Sequence, residues 1–192
     1  MKKIILASSS VYRKQQLQRL NIAFTSMAPE VDEDSFKTQG LEHIQVAEKL
    51  ALAKAQAIAK EHQQAIVIGG DQVASFKDQV LNKPLTKDKA FTQLRALAGN
   101  EHQLITSLAI VLGEQMHTHT CIARMTMRPL SDEQIQRYIE IDEPLYCCGS
   151  YRLEAAGISL FESINCEDYT SIIGIPLMWT AKTLSQLGIA VP

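Results

Sequence analysis

The sequence predicts a mixed α/β protein with a long, largely antiparallel central sheet flanked by helices. Three observations carry that expectation. Residues 3–7 (KIILA) form an apolar, β-branched run followed by a serine-rich turn and a helical pattern, which is a βα unit. Residues 42–61 are alanine-rich, with apolar positions at three- and four-residue spacing, and lead into a second apolar run at 66–68. Residues 103–112 and 116–127 are two long strand-like runs separated only by Gly113-Glu114-Gln115, a connection short enough to require antiparallel pairing.

Taken in order, residues 3–7 are a first strand, and Ser8-Ser9-Ser10 offers N-cap candidates for the helix that follows. In that helix Leu17 and Leu20 repeat at helical spacing between polar residues, and Asn21 is a C-terminal stop. Residues 22–27 form a short strand, and 28–40 (APEVDEDSFKTQG) a polar, acidic loop. A long helix over 42–61 follows. Residues 65–76 (AIVIGGDQVASF) begin as a buried strand and then meet Gly69-Gly70, turn-prone residues that bound the apolar run, and an acid, Asp71. Lys77-Asp78 is a hairpin turn, with Val80 and Leu81 pairing back. Pro84 forbids helix at Lys83. Thr86 caps a helix ending near Ala98 before Gly99, and Ser131 caps one ending near Ile141. Residues 142–171 are rich in turn formers and carry no clear period. Residues 172–176 lead into a last helix over 177–187, stopped by Gly188.

Composition limits the function classes. The 192 residues allow one large domain or two closely joined lobes. A hydrophobic fraction of 46% and a charged fraction of 21% are those of a soluble globular protein. A net charge of −2 offers no general attraction to nucleic acid or an anionic membrane. The N-terminal MKKIILA briefly imitates a signal peptide, but its apolar run is too short, and no stretch approaches the ~20 apolar residues of a membrane span. The expectation is a cytoplasmic protein. Cys121, Cys147, Cys148 and Cys166 contain no C-x-x-C, so zinc-site spacing is absent. Neither a Walker A pattern nor G-x-G-x-x-G occurs.

The chemistry-bearing residues are those that interrupt apolar patterns. A carboxylate inside a buried strand needs cations around it, so either Asp71 stands at a strand end in a polar cleft or the strand assignment is wrong. Elsewhere, Ser8, Ser10 and Arg13 stand at the first strand–helix turn, and Asp32 and Glu33 in the acidic loop. Lys54 lies along the apolar stripe of the long helix, Gln72 follows Asp71, and Lys83 precedes Pro84. Hydroxyls, an arginine and lysines hold phosphates, and carboxylates hold a divalent cation and deprotonate water. Together they form a kit for phosphoanhydride hydrolysis. Taken singly, each has a plainer alternative. The serines can simply cap the helix, Lys54 can extend its ammonium into water, and the 32–33 acids can be a solvated turn.

The order of these segments resembles the Maf family of nucleoside triphosphate pyrophosphatases over nearly the whole chain. The matching stretches are ILASSSVYRKQQL at 5–17, PEVDED at 29–34, LALAKAQ at 50–56, IGGDQV at 68–73, NKPL at 82–85, YIEIDEPLYCCGSYRLEAAGISLFE at 138–162 and IIGIPL at 172–177. The resemblance implies a Maf and inosine-triphosphatase-like fold, a single domain over 1–192 whose two lobes share one sheet around a cleft. It implies cleavage between the α and β phosphates, with Asp71 as general base and Glu33 and Asp71 at a divalent cation, Mg²⁺ or alternatively Mn²⁺. Ser8, Ser10, Arg13, Lys54 and Lys83 would bind the phosphates. Within the family, Tyr12, Gln72 and Glu154 in place of arginine, threonine and glutamine look like the 7-methyl-GTP branch. A methylated, positively charged base suits an aromatic face and a carboxylate.

The resemblance further implies a small-molecule nucleotide substrate, no nucleic-acid or membrane partner, and a homodimer. Two other nucleotide preferences, dTTP/UTP or inosine and xanthosine triphosphates, stay open at this point. So does a non-catalytic, nucleotide-binding role in septum formation. Departures from the family pattern are Val11 for proline, Asn82 for glycine, Cys148 for alanine, and Thr106-Ser107 for Thr-Gly.

Overall fold

The computed structural model describes residues 2–37 and 40–192. Its elements run β1 (Ile4–Ala7), α1 (Val11–Gln18), β2 (Thr25–Met27), α2 (Glu33–Lys37), α3 (His43–Ala59), β3 (Ile66–Phe76), β4 (Gln79–Leu81), α4 (Lys87–Leu97), β5 (Glu101–Leu112), β6 (Gln115–Met127), α5 (Asp132–Asp142), β7 (Phe161–Asn165), α6 (Thr170–Ile173) and α7 (Leu177–Gln186). Two 3-10 turns, Cys148–Ser150 and Ala156–Leu160, lie between α5 and β7. The seven strands form one sheet in the order β2-β1-β3-β5-β6-β7, with β4 also paired to β3. Strand β1 is parallel to β2 and β3, whereas β4 runs antiparallel to β3 and β7 antiparallel to β6. A mixed sheet flanked by helices is what the sequence predicts. No helix among the described residues is long and apolar enough to cross a membrane.

The described residues divide into two compact units. The first draws on Met1–Gln72, Thr106–Cys121 and Asp168–Pro192, the second on Val73–Ile105 and Ile122–Glu167.

In the first unit the sheet is covered on both faces, and strand alternation sorts the side chains. Ile4, Leu6, Ile66, Ile68, Leu108 and Ile110 pack with Leu17 of α1 and Leu177 and Leu184 of α7. Ile5, Ala7, Val67, Ala109 and Val111 pack with Ala51 and Ala55 of α3 on the other face. Burial on both faces explains why these strands read as continuous apolar runs. Helix α1 starts where Ser10 Oγ accepts from Arg13 N. Helix α2 is headed by Asp32, whose Oδ1 accepts from Ser35 N.

In the second unit α4 buries Ala90, Leu94 and Leu97, and α5 buries Ile135, Tyr138 and Ile139. Thr86 caps α4 through Lys89 N, and Ser131 and Gln134 form a capping box on α5. The β3–β4 turn places Lys77 at φ 48° and Asp78 at φ 61°, the left-handed pair that matches hairpin twist.

Four expectations are corrected. The 28–40 loop contains α2, a helix of 5 residues, too short to display a period. Asp71 does not stand at a strand end, and the strand assignment around it holds. Strand β3 runs through Asp71 to Phe76. The β5–β6 turn is Gly113-Glu114 alone, because Gln115 already belongs to β6. The unassigned 142–171 stretch holds the two 3-10 turns, β7 and the start of α6.

Candidate active site

Strand alternation gives consecutive residues of β3 opposite duties. Val67, Gly69 and Asp71 face α3, while Ile68, Gly70 and Gln72 face α1 and α6. Strand β1 ends at Ala7, opposite Gly69, so Gly70, Asp71 and Gln72 extend past the end of β1 beside the Ser8–Ser10 turn.

On the α3 face, helix and strand touch backbone to backbone. A Cβ on Gly69 would overlap Ala51 O and would stand 2.5 Å from Ala55 N and 2.9 Å from Ala55 Cβ. Glycine at 69 and alanines at 51 and 55 let α3 come this close. Lys54, beside that contact, consequently turns inward, with only 7% of its surface exposed. Its Nζ lies 2.7 Å from Asp71 Oδ1 and 2.6 Å from Glu33 Oε1. Asp71 is itself 8% exposed, whereas the Glu33 side chain is 47% exposed. One buried ammonium thus clasps two carboxylates, one internal and one reaching solvent. The charge that looked anomalous in the strand is matched inside the protein.

The opposite face holds Arg13 and Gln72. A Cβ on Gly70 would stand 3.5 Å from Arg13 Nε, and one on Gly174 would stand 3.1 Å from Arg13 Cγ. Two bare glycines make the slot in which the Arg13 side chain lies, and its Nε donates to Gly174 O at 3.2 Å. The amide of Gln72 points inward. Nε2 donates to Thr106 Oγ1 (2.9 Å), Ser171 O (3.0 Å) and Ile172 O (3.1 Å), and Thr106 Oγ1 donates to Ser171 O (2.9 Å). The donor end of Gln72 is therefore engaged in fastening α6 to β3 and β5. Tyr12 is half-buried on α1. Ser8 is buried, and its Oγ accepts from Ser10 N at 3.2 Å. Both serines shape the turn whatever else they bind.

Lys83 and Glu154 belong to the second unit. Lys83 is exposed and follows Asn82, whose carbonyl accepts from Gln93 Nε2 at 2.8 Å. Glu154 stands on a tight loop, 3.5 Å from Arg152 Nε. Buried Asp142 pins that loop by accepting from Gly157 N (3.0 Å) and Ala156 N (3.4 Å). Tyr138 Oη accepts from Arg152 N at 2.9 Å, and burial above all pushes the Tyr138 phenol well above its usual ionisation range.

Of the residues singled out from sequence, the structure joins Glu33, Lys54 and Asp71 directly. It seats Arg13 on the other sheet face beside Asp71's neighbour, and it anchors Gln72. Sequence reasoning missed Thr106, Ser171 and Gly174, which hold Gln72 and Arg13. The signals for them were Thr106-Ser107 standing where the resemblance expected Thr-Gly, and the matching stretch at 172–177 that contains Gly174. Chemically, two carboxylates sharing one lysine leave a net negative charge and hard oxygen donors, a set that suits a small divalent cation and a water to be deprotonated.

A family model described as "Maf-like protein" matches residues 3–187. A Bdellovibrio bacteriovorus protein named 7-methyl-GTP pyrophosphatase is 40% identical, covering 96% of this chain and 97% of its own. A Pseudomonas putida protein of the same name is 38% identical, covering 98% of each. An Acinetobacter baylyi protein named nucleoside triphosphate pyrophosphatase is 39% identical, covering 98% of this chain and 97% of its own. A solved HAM1 protein from Coxiella burnetii overlays 66% of this chain and 73% of its own, with a TM-score of 0.42 and 13% identity, too loose a likeness to build on.

Proposed function

The chain belongs to the Maf family, and from that premise we propose that it is a nucleoside triphosphate pyrophosphatase whose substrate is 7-methyl-GTP, the nucleotide in its relatives' names. Water and 7-methyl-GTP give 7-methyl-GMP and pyrophosphate. The water oxygen bonds to the α phosphorus, the bond from that phosphorus to the α–β bridging oxygen breaks, and the electron pair leaves with pyrophosphate.

The observation that carries the reading is the Lys54 ammonium held between Asp71 and Glu33. With Oδ1 of Asp71 engaged by Lys54, Oδ2 is the oxygen that takes the proton from water. General-base help of this kind contributes about 10²–10⁴-fold. Glu33 and Asp71 would hold a divalent cation, Mg²⁺ in this reading, and the cation supplies charge neutralisation at the triphosphate when bound. Arg13, Lys54 and Lys83, with the Ser8 and Ser10 hydroxyls, bind phosphate oxygens and offset the charge that builds on the leaving group. Glu154 accepts from the N–H edge of the base and complements its positive charge, and Tyr12 offers an aromatic face. Gln72 acts on specificity through the α6 anchorage.

Release of pyrophosphate from a panel of nucleotides, with and without Mg²⁺, tests the reading. The panel holds 7-methyl-GTP, GTP, UTP, dTTP and the inosine and xanthosine triphosphates. Preference for 7-methyl-GTP, lost on chelation and in Asp71→Asn, is the expected result. Near-normal hydrolysis by Asp71→Asn would sink the assignment of the base. Binding without any hydrolysis would favour the regulatory alternative. The same reading includes a cytoplasmic homodimer, which sedimentation of the purified protein tests for its oligomeric part.

A further inference from the structure

The amide of Gln93 on α4 bridges two loops of the second unit. Its Nε2 donates to Asn82 O at 2.8 Å, and its Oε1 accepts from Ser150 Oγ at 2.5 Å. Asn82 immediately precedes Lys83, and Ser150 lies just before the loop that carries Glu154. Two further links fasten the same segments. Leu85 N donates to Leu145 O at 3.0 Å, and Lys87 Nζ lies 3.5 Å from Glu143 Oε1. Helix α4 is a firm base for the bridge, since it is capped at Thr86 and buries Ala90 and Leu94 on either side of Gln93.

Backbone conformation singles out the same place independently. Among the described residues, six other than glycine have positive φ. Asn21 follows the end of α1, and Lys77 and Asp78 form the β3–β4 turn, where such angles have a local cause. Glu143 (43°) is the left-handed C-cap of α5, a helix-end cause of the same kind. The other two, Leu85 (63°) and Ser150 (63°), stand on the bridged segments. Ser150 is fully buried and Leu85 is 57% exposed, so hydrophobic burial is not a common cause. Left-handed backbone in such residues persists where the surroundings over-determine it, and it gathers at functional sites.

We propose that Gln93 is a positioning residue for Lys83. It fixes the Asn82 carbonyl, and with it the backbone from which the phosphate-binding ammonium projects, against the Ser150 segment. The inference rests on the reading of Lys83 as a phosphate ligand. The role requires a side chain that donates at one end and accepts at the other at this reach, which an amide provides and a carboxylate does not.

The test is a double-mutant cycle read as affinity for the α,β-methylene analogue of 7-methyl-GTP, which cannot be cleaved between those phosphates, by calorimetry with Mg²⁺. Gln93→Glu keeps the size and the acceptor but cannot donate to Asn82 O. Gln93→Met removes both bonds without adding charge, which guards against an effect of the new carboxylate or a folding failure. Each is made alone and with Lys83→Ala. The expected result is a loss of about tenfold for either Gln93 variant when Lys83 is present, and of less than about twofold when residue 83 is alanine. Equal losses in both backgrounds, or none in either, overturn the proposal, because a merely structural glutamine would not couple to Lys83. Turnover is scored separately. A wild-type protein that binds the analogue but cleaves no nucleotide refutes the enzymatic reading while the cycle still decides the role of Gln93. Failure of the wild type to bind this 7-methylated analogue overturns both.

Discussion

Lys54 Nζ lies 2.7 Å from Asp71 Oδ1, with the two side chains 9% and 11% exposed. The contact depends on a third residue that carries no side chain. Gly69, two positions before Asp71 on the same face of β3, lets the α3 backbone descend until Lys54 reaches the carboxylate. A buried acid, a buried base and the glycine that admits the helix therefore form one unit.

Removing one charge of a buried pair leaves the other desolvated and alone. Lys54→Met should cost about 3–5 kcal/mol of stability. Adding Asp71→Asn to it should restore part of that loss, since the orphaned charge is gone. Urea denaturation of the two single variants and the double variant measures both effects. An unchanged midpoint in Lys54→Met would show that the pair is solvated.

Gly69→Ala pushes a methyl group into Ala51 O and Ala55 N, backbone atoms that cannot swing aside. The expected loss is about 1–3 kcal/mol of stability, together with turnover, as α3 and Lys54 are displaced. Gly70→Ala should be milder. Its nearest neighbour would be Leu108 Cδ1 at 3.1 Å, the end of a flexible side chain. Equal effects at the two positions would contradict the close helix approach as the cause.

Glu154 and Gln72 should separate in kind. Glu154→Gln should cost less than about 1 kcal/mol of stability, since its ion-pair partner Arg152, at 3.5 Å, is partly solvated. It should lower the preference for 7-methyl-GTP over GTP about tenfold, the weight of one charge-assisted hydrogen bond. Gln72→Thr loses the hydrogen bonds to Thr106, Ser171 O and Ile172 O, so it should cost about 1–2 kcal/mol of stability besides any change in preference. Competitive assays with the two nucleotides and thermal melts read the two effects. A Gln72→Thr variant as stable as the wild type would show that α6 does not depend on this anchor.

His102 provides a pH dependence away from the proposed chemistry. It is 2% exposed, its Nε2 is 2.9 Å from Tyr151 Oη, and its ring meets Tyr151 and Phe161. Burial lowers its pKa from the ordinary 6.5 to about 4. Between those values the unfolded chain binds a proton that the folded protein refuses, so stability falls as pH falls from about 6.5. The loss reaches roughly 3 kcal/mol near pH 4, with no further contribution below. His102→Gln, which cannot titrate, should flatten that part of the profile. Urea midpoints at pH 7, 5.5 and 4 give the comparison, and parallel profiles would exclude His102 as the cause.

Legibility followed periodicity. Helices α3, α4, α5 and α7 and strands β1, β3, β5 and β6 are long enough, or apolar enough, to show their period. Strand β7 buries only Phe161 outright, so no alternation marks it. The role of the Gly69-Gly70 pair was not legible, for a physical reason. Glycines signal a turn when only local conformation is considered, yet here each vacates space, one for the α3 backbone and the other for Arg13. Gln93, Asn82 and Ser150 could not be associated at all, since nothing local ties an amide on α4 to carbonyl and hydroxyl partners 11 and 57 residues away.

By itself the sequence determined the strand and helix types, the apolar stripe on which Lys54 rides, and an ordered set of motifs distinctive enough to identify the family. These are properties of local spacing and of order along the chain. Only the tertiary structure decided that Lys54 turns inward rather than toward water, that Asp71 sits within a continuous strand, and that Arg13 serves the opposite face. Each outcome depends on which surfaces meet, and that is settled where α3 packs on Gly69 and Arg13 lies between Gly70 and Gly174.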